Sequence, residues 1–432
     1  MGFPNGPVFA YFLAAFTRFT SDPVLVTVGI ALVNVAALAA SIPFFRRVLG
    51  RAGEAEMAVA IYATSPVAIW FSRKIWDPCL VPLFTVPALA LAVRATEGRR
   101  RAAIAAVPVL LALAAQTHQS AAFFAVVLLA VLAFDARRLS LPALGAGFVV
   151  AALAIAPYAA HVVEMLSAHG FTPRTGSRWP DIDVVTNLLL DASGHNILQS
   201  AGFEAGPMLL WPVPPFGLLV HLAAIPFYAY FFAGIARARA DTTVSPPVRR
   251  LLLGVVLGLP ALYLAVRVNG VAHYFLAILP VLFALIVLGA RRVEGSSRTT
   301  GWRRFAPPLP VLVVVNVLSW LVFQSYLSAH YGSEQYGLPY RRLVEACEEV
   351  RDAAGDLGKG AAHDPLVLRV DVPRDRGAIP YAYRYVLERR LGVHVRAPED
   401  GEREDVVLTV RWPHSGRLDE SPWELSRSGD GW

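Results

Sequence analysis

The sequence predicts an α-helical polytopic membrane protein with about ten transmembrane helices and a small C-terminal α/β domain. Composition predicts the membrane part: 56% of the residues are hydrophobic, only 16% are charged, and the mean hydropathy is +0.50. Soluble domains have roughly a quarter charged residues, so this is not an ordinary soluble protein. A change to mixed, charged sequence after residue 329 predicts the second part.

The apolar windows set the expected number of spans. A helix needs about 20 apolar residues to cross roughly 30 Å of hydrocarbon, because its backbone polar groups must be satisfied internally there. These windows predict a transmembrane domain at 23–328, after an outer interfacial segment at 1–22. They lie at about 23–45, 55–72, 79–94, 101–116, 119–134, 141–163, 208–233, 250–268, 271–290 and 307–328.

The positions of the arginines predict the orientation. Arginine is concentrated in alternate loops, near residues 46–51, 94–101, 137–138, 237–250 and 291–304. By the positive-inside bias these loops are cytoplasmic. The remaining connections then lie outside, including the loop 164–206 and everything after residue 329. The segment "SRKIWDP" is also outside, although it carries two cations against the bias.

The residues 329–432 alternate between helix-like and strand-like patterns. The segments "LPYRRLVEACEEVRDAA" and "IPYAYRYVLERRLG" have helical periodicity, whereas "PLVLRVDV" and "EDVVLTVRW" are typical of strands. This alternation predicts a small extracytoplasmic α/β domain.

Several other functions are disfavoured. The net charge of +7 comes largely from the arginine-rich loops, which membrane orientation explains, so no nucleic-acid partner is expected. Cys79 and Cys347 form neither a disulfide framework nor a metal pattern. Residues 1–22 lack the pattern of a signal peptide. The sequence also contains no phosphate-binding glycine loop, zinc pair or nucleophile elbow.

The first candidate site is the segment "FSRKIWDPCL". Arg73 and Lys74 are expected at head-group depth on the outer side, against the positive-inside bias. A bound phosphate would explain their position there, because arginine can hold phosphate bidentately and lysine adds a point charge. Trp76 has the interfacial depth that indoles favour, and Asp77 is a candidate carboxylate for chemistry. The alternative is structural, with a snorkelling cation pair and Asp77 as the N-cap of a helix that continues with Pro78.

Two other outer segments offer polar side chains. "QTHQSAA" places His118 in a tight turn, where it either meets a sugar or phosphate or is merely hydrated. "RVNGVAHYFLAILP" offers Arg267, His273 and Tyr274, and ionisable groups at that depth usually face a cavity or pathway. A satisfied interhelical hydrogen bond and an aromatic-belt tyrosine are the alternative. The acids of loop 164–206, Asp191 among them, match no metal spacing and are expected to be solvated.

The order of the motifs resembles a known class of membrane enzymes. The motifs are a Gly-Pro entry to an interfacial helix ("FPNGPVFAYFL"), the turn "RRVLGR", "SPVAIWFSR" with an acid–Pro pair after it, and the late "HYFLAILP". In this order, followed by an outer α/β tail, they are similar to bacterial GT-C glycosyltransferases that use polyprenyl-phosphate sugars. That class includes protein O-mannosyltransferases, the lipid A aminoarabinose transferase and related lipopolysaccharide sugar transferases.

The resemblance implies a multi-pass enzyme of the bacterial inner membrane. It would move a sugar from a polyprenyl-phosphate donor to a lipid, glycan or protein acceptor on the outer face. A carboxylate would be the general base, with Asp77, the catalytic candidate here, near a second acidic position of the class, and cations would stabilise the departing phosphate. No cofactor is expected, and a divalent metal is left open. The remaining candidates would bind substrate: Arg73, Lys74, Trp76, His118, Arg267, His273 and Tyr274.

One departure from the class leaves other functions open. The class usually carries its principal aspartate in a first outer loop, before the Pro-rich interfacial helix, and this chain begins after that point. We therefore expect an upstream extension of roughly 40–80 residues, enough for one spanning helix and an acidic loop. Without it, the chain would be a weak enzyme or a non-catalytic membrane scaffold. A transporter or lipid flippase is the third hypothesis, although no repeat symmetry is evident in the sequence.

Overall fold

The computed structural model describes most of the chain. The described residues form helices and one four-stranded sheet, in two compact units. Met1–Ile197 and Leu219–Trp320 make up the first unit, and Leu198–Leu218 and Leu321–Trp432 the second. The described residues are 6–20, 22–98, 100–169, 181–194, 218, 222–240, 244–268, 271–295, 308–329, 340–371, 381–398, 404–410 and 423–427.

The first unit is helical. Short 3-10 helices at Asp77–Leu80, Ala136–Arg138 and Ala272–Ile278 lie between its longer elements. In chain order the α-helices are α1 Val8–Thr17, α2 Pro23–Leu49, α3 Ala52–Thr64, α4 Pro66–Phe71, α5 Val81–Gly98, α6 Arg101–Thr117, α7 Ser120–Ala133, α8 Leu141–His169, α9 Asp183–Ser193, α10 Ile225–Ala240, α11 Pro246–Ala265, α12 Leu279–Gly295 and α13 Leu309–Ala329, whose last residues are counted in the second unit.

Six helical segments of the described chain are long and apolar enough to cross a membrane, which is compatible with the predicted class of helical membrane protein. The count of ten spans and the orientation stay predictions. The six segments are Pro23–Leu49, Asp77–Gly98, Leu141–Glu164, Pro246–Ala265, His273–Arg291 and Leu309–Tyr326; shorter apolar helices are Val8–Thr17, Arg101–Thr117 and Ser120–Ala133.

The predicted window 55–72 is not one helix. It is interrupted at Ser65, whose ψ of 120° is not helical, because the residue before a proline is biased away from helical conformation. The amide of Asn316 donates to the Ile61 carbonyl at 3.3 Å, so a side chain satisfies one carbonyl near the break. Residues 208–217 and 219–221 of the window 208–233 lie outside the described residues, and its last part forms the start of α10.

Helix α12 occupies the centre of the first unit, since 89% of the span His273–Arg291 is buried. Its backbone approaches that of α10 at two glycines. A Cβ atom on Gly234 would overlap the carbonyl oxygen of Leu285, and one on Gly289 would overlap that of Tyr230. This packing fixes α12, and with it the preceding 3-10 helix that carries His273 and Tyr274.

The second unit contains a small α/β fold. Its elements are α14 Tyr340–Asp356, β1 Leu366–Asp371, α15 Tyr381–Tyr385, a π-helical turn Val386–Arg390, β2 Val395–Arg396, β3 Val406–Val410 and β4 Trp423–Arg427. The strand order is β2-β1-β3-β4; β1 pairs in parallel with β2 and β3, and β3 is antiparallel to β4.

The core of this unit lies between α14 and the sheet. Cys347 and Val350 of the helix are buried together with Leu366 and Leu368 of β1. The sheet agrees with the predicted α/β character, and its location outside the membrane stays a prediction.

Candidate functional site

Three separate segments of the first unit meet in one cluster of polar and aromatic side chains, here called the Asp–His cluster. The segment after α4 supplies Phe71, Lys74, Trp76 and Asp77; the turn between α6 and α7 supplies His118; the 3-10 helix before α12 supplies His273 and Tyr274. Asp77 and His273 are the first residues of two candidate membrane spans. The cluster therefore lies at one end of the spanning helices.

A buried carboxylate and a buried imidazole face each other in this cluster. The Asp77 and His118 residues are 8% and 5% exposed, and the His118 Nε2 atom lies 3.9 Å from Asp77 Oδ2. That distance is longer than a hydrogen bond. Catalytic hydrogen bonds often shorten only when substrate binds, so the pair is placed for proton transfer or for orientation of the carboxylate.

The other ring nitrogen of His118 determines which atom carries the proton. The backbone N–H of Ser120 donates to His118 Nδ1 at 3.2 Å, and the Ser120 hydroxyl lies 2.7 Å from the same nitrogen. Because Nδ1 accepts from an N–H, the proton of the neutral ring is on Nε2, on the side of Asp77. Burial lowers the pKa of His118 to about 4, so the ring is neutral at pH 7.

His273 joins the three segments through ring contacts. Its ring centroid lies 4.6 Å from that of Trp76 and 4.9 Å from that of His118, both in edge-to-face geometry. Tyr274 contacts both imidazoles, at 4.8 Å from His273 and 6.1 Å from His118. Such offset arrangements are the favoured packing of aromatic rings, so His273 fixes the position of the Trp76 loop against the bundle.

Lys74 is held by aromatic faces. Its Nζ atom lies 4.1 Å from the centroid of the Trp70 ring, 5.5 Å from Trp76 and 5.7 Å from Phe71, within the range of cation–π attraction. Burial lowers the pKa of Lys74 to about 8, because a buried environment penalises the ammonium form. The amine therefore changes charge close to neutral pH.

The two arginines predicted for the site, Arg73 and Arg267, are not members of the Asp–His cluster. Arg73 is exposed, and its guanidinium lies 5.7 Å from the Trp320 ring centroid. Arg267 is exposed and has a φ of +57°, a left-handed conformation that non-glycine residues seldom adopt. Among the described residues, no ion-pair or ring contact joins Arg267 to the Asp–His cluster.

Asp77 does not take the capping position that the structural alternative assigned to it. It is the first residue of the 3-10 helix Asp77–Leu80; Trp76 precedes that helix, and no side chain caps it. A capping role therefore does not account for this carboxylate. The other end of the same 3-10 helix is held by Asn34, whose amide donates to the Cys79 carbonyl at 3.0 Å.

A cavity of about 130 Å³ lies beside the cluster and shares Phe71 with it. Its wall is mostly apolar, with Val35 and Leu38 from α2, Ile69 from α4 and Leu276 from the 3-10 helix. Val35 is 59% exposed on the outside of α2. An apolar space thus extends from beside the polar cluster to the exposed side of α2.

Sequence reasoning missed a second carboxylate. Asp191 was expected to be solvated, but Asp191 and Asn187 are fully buried on one face of α9, which packs against the 3-10 helix of His273. Neither polar atom of the Asn187 side chain has a partner in the described residues. The signal in the sequence was their four-residue spacing within an amphipathic helix.

Neither a metal site in the described residues nor a known relative assigns a role to the Asp–His cluster. Within the described residues, no group of three or more His, Cys, Asp and Glu side chains is arranged to hold a metal ion. Comparison with models of protein families and with characterised protein sequences gives no match for this chain.

Proposed function

We propose that this protein is a membrane glycosyltransferase of the GT-C type that uses a polyprenyl-phosphate sugar as donor. The observation that carries the proposal is the Asp–His cluster itself. A carboxylate, two imidazoles, an ammonium group and three aromatic faces come from distant parts of the chain to one end of the spanning helices. Sugar transfer from a lipid phosphate needs a base, a cation and a surface for the sugar at that depth.

In the proposed reaction, an acceptor oxygen attacks the anomeric carbon while the bond from that carbon to the phosphate oxygen breaks. The proton of the acceptor passes to the Asp77 carboxylate, and the bonding electrons leave with the polyprenyl phosphate. Inversion at the anomeric carbon follows from a single displacement. His118 is neutral and carries its proton on Nε2, so it can orient the Asp77 carboxylate through its Oδ2 atom.

Lys74 is the cation that stabilises the departing phosphate. Its ammonium lies among Trp70, Phe71 and Trp76, where water is scarce and a charge-assisted contact is strong. Trp76 is 37% exposed, so part of its ring remains open to the apolar face of a sugar. Arg73 is a peripheral phosphate contact, since its guanidinium is exposed over Trp320.

The apolar cavity beside Phe71 is the path of the polyprenyl chain in this proposal. It connects the cluster with the exposed Val35 on α2, so an isoprenoid could stay in the hydrocarbon while its phosphate reaches Lys74. His273 contacts Phe71, the residue that the cavity and the cluster share, at 6.3 Å between ring centroids. The outer face of the bacterial inner membrane is the compartment in which the proposal places the site.

A donor-consumption assay tests the proposal. Protein purified into lipid nanodiscs is incubated with polyprenyl-phosphate pentoses and hexoses, and release of free polyprenyl phosphate is measured with and without candidate lipid, glycan and peptide acceptors. We expect release with at least one donor, and its loss in Asp77→Asn. The matched control is Glu56→Gln, an exposed carboxylate on α3. Donor turnover that is unchanged in a folded Asp77→Asn variant contradicts the assigned base.

A further inference from the structure

A second cavity lies at the opposite end of the bundle. It has a volume of about 820 Å³, within the range of about 300–1,000 Å³ of ordinary ligand pockets. Helix α7 begins at Ser120, beside the Asp–His cluster, and runs to the far end, where Phe134 lines this cavity. We call it the arginine groove and define it by Phe134, Arg239, Arg249, Leu253, Leu257 and Ala261.

The mouth of the groove is positively charged. Arg249 donates a hydrogen bond to the backbone carbonyl of Arg239 at 3.4 Å, so its guanidinium lies at the end of α10, and both arginines line the groove. Neither forms an ion pair with any residue in the described part of the chain. The neighbouring Arg250 is different, because it pairs with the buried Asp135, which also lies 3.9 Å from Arg138. Asp135 is thus paired with arginine, and no carboxylate of the described residues compensates the charge of Arg239 and Arg249.

The interior of the groove is apolar and follows α11. From Arg250 to Ala261 the helix rises by about 16 Å, close to half of the roughly 30 Å hydrocarbon thickness. Gly254 and Gly258 form its floor where α11 packs on α7, since Cβ atoms there would contact Val131 and Val127. Leu257 is 54% exposed and Phe134 is 82% exposed. The groove is therefore open to the surrounding hydrocarbon along its length.

We propose that the arginine groove binds an anionic glycerophospholipid of the leaflet at this end of the helices. The head-group phosphate lies between Arg239 and Arg249, and one acyl chain lies along Leu253, Leu257 and Ala261. The three features fit this occupant together: two neighbouring cations for one phosphate, an apolar channel one leaflet deep, and a side open to lipid. This site is independent of the proposed sugar transfer, which uses the other end of α7.

Native mass spectrometry of the detergent-purified full chain tests the proposal. Phosphatidylglycerol and phosphatidylcholine with identical acyl chains are titrated, and the bound fraction of each is measured. We expect phosphatidylglycerol to bind more tightly than phosphatidylcholine. The double variant R239Q/R249Q should weaken phosphatidylglycerol binding at least about ten-fold, since both charge-assisted contacts to the phosphate are lost.

Two other variants test whether lipid binding depends on this groove in particular. R100Q/R101Q removes the same charge from the exposed start of α6 and should bind phosphatidylglycerol like the parent protein. A261W keeps all arginines, fills the groove from an exposed position and should also lose the lipid. Equal losses in the two double variants, retained binding in folded A261W, or displacement of phosphatidylglycerol by equimolar polyprenyl phosphate would each overturn the assignment.

Discussion

The Nε2 atom of His118 lies 3.9 Å from Oδ2 of Asp77, and the backbone N–H of Ser120 donates to the opposite nitrogen of the same ring. The backbone of one helix start therefore selects the tautomer that presents a proton to the carboxylate. In the proposed reaction, His118 is a positioning residue.

The first prediction concerns that position. His118→Ala should lower kcat for donor turnover by about ten- to hundred-fold, because a contact of about 1.5–3 kcal/mol to a charged group is lost. His118→Gln should recover part of the lost rate, since the glutamine amide can donate a hydrogen bond towards Asp77. KM for the donor should change little in both. A rate loss that is equal in the two variants, or that appears only in KM, contradicts the positioning role.

The second prediction concerns pH. The pKa of Lys74 is lowered to about 8 by burial, so its ammonium is present below that pH and is lost as the pH rises through it. Donor KM should accordingly increase above pH 8. Lys74→Arg should keep its charge and remove this increase, because arginine stays protonated at all accessible pH values. A KM that rises equally in the parent and in Lys74→Arg assigns the titration to another group.

The third prediction concerns helix packing. Gly234→Ala should destabilise the protein by about 1–3 kcal/mol, because its Cβ atom would overlap the Leu285 carbonyl oxygen. Gly145→Ala in α8 is the matched control, since no atom lies within 4 Å of its added Cβ; it should be neutral or slightly stabilising. Thermal unfolding in detergent, followed by intrinsic fluorescence, measures both. Equal melting temperatures would show that α10 and α12 are not in close contact.

The fourth prediction concerns orientation. Single cysteines at positions 100, 176 and 239, in a chain that lacks Cys79 and Cys347, report the side of each loop. A membrane-impermeant maleimide should label position 176 in intact cells, and positions 100 and 239 only after the membrane is opened. Labelling at position 239 in intact cells would reverse the charge argument and move the Asp–His cluster to the cytoplasmic face.

The sequence predicted the class of fold because composition alone decides it. Apolar runs separated by arginine-rich turns predict helices in a membrane, and most helix ends lie near the ends of those runs. The break at Ser65 could not be predicted from Pro66 alone. Prolines at 43, 87 and 157 lie inside continuous helices, so a proline does not by itself mark a break. Whether a proline interrupts a helix depends on neighbours such as Asn316, which are known only from the packing.

The members of the candidate site could be picked out in the sequence as separate side chains, but their arrangement could not. Polar and aromatic side chains that directly flank apolar runs are candidates for a functional site. This criterion identifies Lys74, Trp76, Asp77, His118, His273 and Tyr274. Their convergence depends on how α4, α6 and α12 pack, which no local pattern contains. For the same reason the burial of Asp191 was missed, because the rotation of α9 about its axis decides which of its acids meets water.

The composition of the Asp–His cluster also determines when it can exist during synthesis. Its members belong to segments that leave the ribosome far apart in time, and the last of them precedes the central helix α12. Contacts between distant segments form late in folding, so a chain that has inserted only its first helices carries Asp77 without either imidazole. The cluster can therefore form only once the chain has been made as far as Tyr274, and shorter nascent chains hold Asp77 apart from these neighbours.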